Sequence, residues 1–191
     1  MAILLKAPFK AILVSALATF SVFTSITYFS CNRDKCKTVV CGNGGVCNSG
    51  TCVCPSGYEG SNCETQTREK FLGAWRVFEK GTRTTANQYP ITIEKSSPQL
   101  TDVVITNFFN YFHTPIKASV IGDTLFIPNQ QYEGKLVFGV GYIYSNVTYG
   151  QFGSISMRYE VVDTATNTVD DFGYYEQDAS DPSAWNKLVL N

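Results

Sequence analysis

Residues 36–63 read CKTVVCGNGGVCNSGTCVCPSGYEGSNC, and this stretch decides how the rest of the chain is divided. Its cysteines, Cys36, Cys41, Cys47, Cys52, Cys54 and Cys63, are separated by four, five, four, one and eight residues. Gly44, Gly45, Gly50, Gly57 and Gly60 stand where tight turns are needed. Beyond Val39, Val40, Val46, Val53 and Tyr58 the segment holds few large apolar side chains, too few for a self-sufficient core, so cross-links must hold it. Six cysteines pair in many ways, and spacing alone does not choose among them. Zinc is the competing use of clustered thiolates. The short spacing and the export signal upstream favour disulfides over metal.

That signal occupies residues 1–30, where Lys6 and Lys10 precede an apolar run from Ala11 to Ser30 broken only by Ser and Thr, with no acid. The pattern is that of a secretory signal peptide or a signal anchor. At 20 residues the run approaches the roughly 20 needed to cross hydrocarbon. Lys6 and Lys10 keep the short end in the cytoplasm, so everything after residue 30 faces the other side. The chain has seven cysteines, and the odd one, Cys31, follows the apolar run directly.

The order and spacing of the six clustered cysteines, with one residue between the fourth and fifth and then CPSGYEGSNC, resemble an EGF-like module over residues 36–64. The resemblance implies bridges from Cys36 to Cys47, Cys41 to Cys52 and Cys54 to Cys63. Each closes a short loop and contributes roughly 2–3 kcal/mol. Some EGF-like modules bind calcium through acids or amides just before the first cysteine. Here Lys35 takes the adjacent position, and Asn48 alone does not supply the six or more oxygens a hard cation needs, so no metal is expected. Cys31 preceded by Ser30 is similar to the lipobox of bacterial lipoproteins, with Tyr28 and Phe29 in place of the usual aliphatic and small residues. That resemblance implies a lipidated Cys31 and a bacterial envelope protein at the outer membrane or cell surface. The alternative is an inner-membrane signal anchor with extracytoplasmic domains.

Residues 31–35 form a short linker. Thr65, Gln66, Thr67, Arg68 and Glu69 read as a polar hinge, and residues 70–191 are the size of one domain, with one histidine and no cysteine. The pattern in this second domain has the strand period. Ile91 and Ile93 oppose Thr92 and Glu94; Ile116, Ala118 and Val120 oppose Lys117 and Ser119; Ile155, Met157, Tyr159 and Val161 oppose Ser156, Arg158 and Glu160. Eight strands are expected near 72–79, 89–94, 101–108, 116–121, 124–128, 135–145, 153–162 and 168–176. Gly122-Asp123 is a two-residue hairpin connection, and Trp185, Leu188, Val189 and Leu190 suit a final short strand. The fold class is mainly β, an antiparallel eight-stranded meander whose edges are best hidden by closing into a barrel. A two-sheet sandwich is the alternative. Gly73-Ala74-Trp75, set in FLGAWRVFEK and followed by YPITIEK and DVVITNFFN, resembles the lipocalin-like domains of bacterial lipoproteins. That resemblance implies an indole plugging one end of the barrel.

Phe138, Val140, Tyr142 and Tyr144 share one face of the sixth strand, alternating with Gly139 and Gly141, where strong coiling is expected. Tyr142, Tyr144, Tyr159 and Arg158 are the candidate ligand contacts, for a small ligand, a glycan or a lipid. The run Phe108-Phe109-Asn110-Tyr111-Phe112-His113 forms either an exposed lip or a wrapping over a barrel end. His113 is the sole histidine, and no strained nucleophile turn, phosphate loop or metal-spaced histidine pair accompanies it. Asp163, Asp170, Asp171, Glu176, Asp178 and Asp181 read as solvated acids at turns and strand ends. No catalytic residue, cofactor or metal is therefore expected. Removing residues 1–30 leaves a net charge of −3, which argues against nucleic acid. Two functions fit: a membrane-anchored surface lipoprotein whose barrel binds a small ligand, glycan or protein partner, or a structural, envelope-assembly protein with a filled barrel.

Overall fold

The computed structural model describes residues 35–96, 99–144, 153–173 and 186–190, the last five as backbone. The protein is mainly β, and only short 3-10 turns interrupt the strands among the described residues. No helix among them is long and apolar enough to cross a membrane. The apolar run from Ala11 to Ser30 and Cys31 lie outside the described residues, as does Trp185.

The N-terminal region is held by three disulfides, Cys36–Cys47, Cys41–Cys52 and Cys54–Cys63, the pairing that the family resemblance implies. They flank a hairpin of β1 (Val46–Asn48) and β2 (Thr51–Val53), in which Cys47 lies opposite Cys52 and Val46 opposite Val53. Little else is buried in this segment: Cys63 is sealed, while Val40, Val46 and Val53 are exposed.

Residues 65–69, read from sequence as a polar hinge, contain a short paired strand and the start of a 3-10 turn. β3 (Tyr58–Glu59) pairs with β4 (Thr65–Gln66), and a 3-10 turn over Thr67–Phe71 follows. Arg68 is nearly sealed, and its Nη1 donates to the carbonyl oxygens of Ser96, Gln99 and Asp102. Lys70 joins Glu59 at 2.8 Å to Asp123 at 2.6 Å. One guanidinium thereby serves three carbonyls.

Eight strands then run as an antiparallel meander: β5 (Gly73–Glu79), β6 (Asn87–Lys95), β7 (Asp102–Thr106), β8 (Ile116–Ile121), β9 (Thr124–Tyr132), β10 (Lys135–Tyr144), β11 (Ser154–Asp163) and β12 (Thr168–Phe172). Each pairs with the next. The last strand, β13 (Asn186–Leu190), pairs with Ser154–Met157 of β11 on one side and Trp75–Phe78 of β5 on the other. The curled sheet is thus joined across its ends by β13, while β12 covers the remaining half of the same β11 edge. Gly122, at φ +56°, takes the left-handed position in the β8–β9 turn, where a side chain would be strained.

Alternation along the strands puts Trp75, Val77, Ile91, Ile93, Val103, Ile105, Val120, Leu125, Ile155, Met157 and Tyr159 inside, and these form one continuous core. Trp75 lies at the start of β5 and is fully sealed, and its Nε1 donates to the Phe71 carbonyl at 2.7 Å, which satisfies the indole where water is excluded. At β10 the two inward glycines are required by space. A Cβ on Gly139 would come within 2.4 Å of Tyr159 Cβ and 2.6 Å of the Arg158 carbonyl, and one on Gly141 within 3.1 Å of Ile155 and Met157. The β9–β10 register slips between Val137 and Gly139, an irregularity of the kind that raises local twist.

Candidate functional site

The most unusual chemistry lies inside the barrel at the end away from Trp75. β5 alternates Trp75, Val77, Glu79 inward, so a carboxylate occupies a core position. Tyr89, at the start of β6, donates its hydroxyl to Glu79 Oε2 at 2.8 Å, and Tyr159 of β11 donates to the same oxygen. Glu79 Oε1 is sealed and has no hydrogen-bond partner among the described residues. Burial pushes the Glu79 carboxyl up to about 6; the two phenols oppose that shift and the nearby Asp170 adds to it. Burial likewise drives both phenols far above their ordinary range, with Glu79 adding to the effect, so they act as fixed donors.

Aromatic rings close this cluster. Phe172 stacks on Tyr159 with centroids 4.3 Å apart and planes 5° from parallel, Phe108 lies 4.8 Å from Tyr159, and Phe109 meets Phe172 edge-on at 5.5 Å. The β7–β8 connection wraps this barrel end. Asn107, Phe109 and Asn110 all have left-handed backbone angles, which asparagine tolerates and a bulky phenylalanine does not. The strain at Phe109 is offset by two buried rings, Phe108 and Phe112, while Tyr111 stays exposed. Glu133, in the β9–β10 turn, fastens the segment from outside: it accepts from the backbone N–H of His113 and Thr114 at 2.9 and 2.8 Å, and its Oε2 lies 3.2 Å from His113 Nδ1. Those hydrogen bonds, the one from Thr114 N–H foremost, hold the Glu133 carboxyl below its usual range.

The β5–β6 loop forms a second wall. Asp170 accepts from Arg83 N–H at 2.8 Å and from the Thr84 hydroxyl at 2.5 Å, and Thr82 N–H donates to the Asp171 carbonyl at 2.9 Å. A Cβ on Gly81 would come within 2.3 Å of Asp170 and 2.7 Å of Phe172, so only glycine lets this loop lie so close. Asp170 and Asp171, expected to be solvated, are in fact buried in β12. For Asp170 the loop donors make this possible by replacing the water that an exposed carboxylate would use. Glu176, Asp178 and Asp181 lie outside the described residues.

The four residues expected to meet a ligand do not converge. Tyr159 points inward and is sealed, whereas Tyr142, Tyr144 and Arg158 are on the outer face of β10 and β11. Cross-strand pairing extends that outer face to β9: Phe126 lies opposite Val140, and Thr124 opposite Tyr142. Phe126, Tyr142 and Tyr144 are each more than a third exposed. His113 is exposed and contacts only the clasp at Glu133 among the interactions described. Sequence reading missed Glu79 and Tyr89, although the signal was present. The alternation that places Trp75 and Val77 inside requires Glu79 inside, and the one that buries Ile91 and Ile93 requires Tyr89 beside them.

No family model, curated protein or solved structure matches this chain.

Proposed function

We propose that this chain is a non-catalytic surface lipoprotein of a bacterial envelope, anchored through Cys31, in which an EGF-like module at the membrane carries a lipocalin-like barrel that meets a protein or glycan partner. Support for the module comes from CPSGYEGSNC together with the three short-range bridges. Gly73-Ala74-Trp75, with a buried indole at the start of the first barrel strand, supports the barrel's family. The observation that carries the functional reading is the division of the aromatic rings. Inside, Tyr159, Phe172 and Phe108 are locked against one another around Glu79. Outside, Phe126, Tyr142 and Tyr144 face solvent on adjacent strands. With these rings packed inside, the outer β9–β11 face, with Arg158 as a polar contact, is the surface assigned to recognition.

A second reading, a small ligand held inside, is favoured by one observation: Glu79 Oε1 is buried without a hydrogen-bond donor among the described residues. Such a ligand would bring the missing donor.

The test has two parts. Mass spectrometry of the membrane fraction should recover an acylated peptide beginning at Cys31, lost in Cys31→Ser; a dominant intact peptide spanning Ser30 and Cys31 contradicts anchoring by lipid. Glycan and protein arrays probed with the full chain should show binding abolished by Tyr142→Ala with Tyr144→Ala and retained in Glu79→Gln. The reverse pattern selects the interior ligand, and hydrolysis of an arrayed glycan discards the non-catalytic class.

A further inference from the structure

The hairpin of the disulfide-rich module has one face the disulfides do not use. Cys47 and Cys52 turn inward, so the opposite face of β1 and β2 presents Val46, Asn48, Thr51 and Val53, all exposed. Val46 and Val53 are directly opposed and are 68% and 58% exposed, and Val40, next to the Cys41–Cys52 bridge, is 82% exposed. Two adjacent apolar side chains on one small face, in a module with scarcely any core, call for a covering surface.

We infer that this face lies on the bilayer, with Val46 and Val53, and Val40 beside them, entering the boundary between headgroups and acyl chains. The inference rests on the reading that the chain is anchored at or just before Cys31. Three observations commit it to a lipid surface. First, five residues carry the chain from Cys31 to Cys36, so the tether spans at most about 18 Å when fully extended. A module held so closely cannot leave the membrane surface. Second, the tether enters at this hairpin: a Cβ on Gly50, in the β1–β2 turn, would come within 3.2 Å of Lys35 Cβ. Third, charge is sorted along the module. Residues 35–58 contain Lys35 and Lys37 and no acid. Of the module's acids, Glu59 is paired with Lys70 and Glu64 accepts from Asn62 N–H. Lysines in an acid-free segment that also carries exposed valines suit an anionic headgroup layer.

The experiment uses the full chain, purified from membranes and reconstituted into vesicles of phosphatidylethanolamine and phosphatidylglycerol that contain a photoactivatable phospholipid. Lipid adducts are then mapped by mass spectrometry. Adducts are expected on residues 38–53 as well as on the segment adjoining Cys31. Val46→Asp with Val53→Asp should lower the former by about tenfold or more, since losing one valine from the apolar boundary is already worth about that factor. Anchor adducts should be unchanged. Val46→Thr with Val53→Thr, which keeps side-chain shape, should give an intermediate loss and guards against a folding artefact. Adducts confined to the anchor of a chain acylated at Cys31 overturn this surface alone. A chain that does not partition with the vesicles overturns the anchoring and this surface together.

Discussion

Between Cys36 and Cys63 the valines at 40, 46 and 53 are exposed, whereas between Phe71 and Phe172 the large side chains Trp75, Ile91, Ile105 and Tyr159 are sealed. The first region is held by three covalent links across loops of nine to eleven residues. The second is held by a contiguous apolar core and a strand ladder with no cysteine. A segment of 28 residues has too much surface for its volume to form a core, and disulfides stand in by restricting the unfolded chain. Freed from that burden, its side chains are available for contact outside. In the barrel the reverse holds: apolar side chains are committed inward, and a polar group among them, Glu79, has to be provided for by Tyr89 and Tyr159.

The sharpest way to break the contrast is to remove core from the barrel. Trp75→Ala should cost about 3–5 kcal/mol in denaturant unfolding, the range for truncating a buried aromatic, and leave the three disulfides intact by mass. A loss below about 1 kcal/mol would mean that the barrel does not depend on its core as described. Cys41→Ser with Cys52→Ser should cost roughly 2–3 kcal/mol, measured as lost amide protection within residues 36–63 alone. Gly139→Ala puts a methyl against the Tyr159 and Arg158 backbone, and overpacking of this kind costs about 1–3 kcal/mol, read in the barrel transition.

The buried carboxylate gives a pH signature confined to the barrel. Glu79 has its folded-state value raised from 4.5 to about 6, so the folded state holds this proton more tightly than the unfolded chain. Its contribution is fully present below about pH 4.5 and is lost as pH rises through about 6, an effect of about 2 kcal/mol. Glu133 and Asp163, both held below their ordinary values by hydrogen bonds, act with the opposite sign and only on further acidification. The barrel's thermal midpoint should therefore fall between pH 5 and 7, and Glu79→Gln should flatten that slope. An unchanged slope in the variant would remove Glu79 from the explanation. The smallest effect is expected at the joint. Lys70→Met breaks the contacts to Glu59 and Asp123, partly exposed pairs worth roughly 0.5 kcal/mol or less, and should barely shift either region.

Most of this contrast was legible in sequence, for physical reasons. The period-2 pattern around Ile91, Ile116 and Ile155 marked strands because one face is buried, and Gly139 and Gly141 marked the place where β10 is crowded. Burial of Trp75 was implied by the Gly73-Ala74-Trp75 resemblance, which sets an indole at a barrel end. What escaped was polar burial. Glu79, Asp170 and Asp171 look solvated one residue at a time. Glu79 is inward by the alternation of β5, whereas Asp170 and Asp171, neighbours in β12 and so on opposite faces, are covered where the distant β5–β6 loop lies against that strand. Without the strand register Tyr142 and Tyr159 were grouped as one site, although the β10–β11 register sets them on opposite faces. The polar string at residues 65–69 also gives no hint that Arg68 will find three carbonyls about thirty residues downstream.

The direct test of the division between the two regions is amide hydrogen exchange on the intact chain, with and without reductant. Reduction should abolish protection from Cys36 to Cys63 while amides at Ile91, Ile105 and Val120 exchange at their original rates. Loss of protection in both regions together would contradict it.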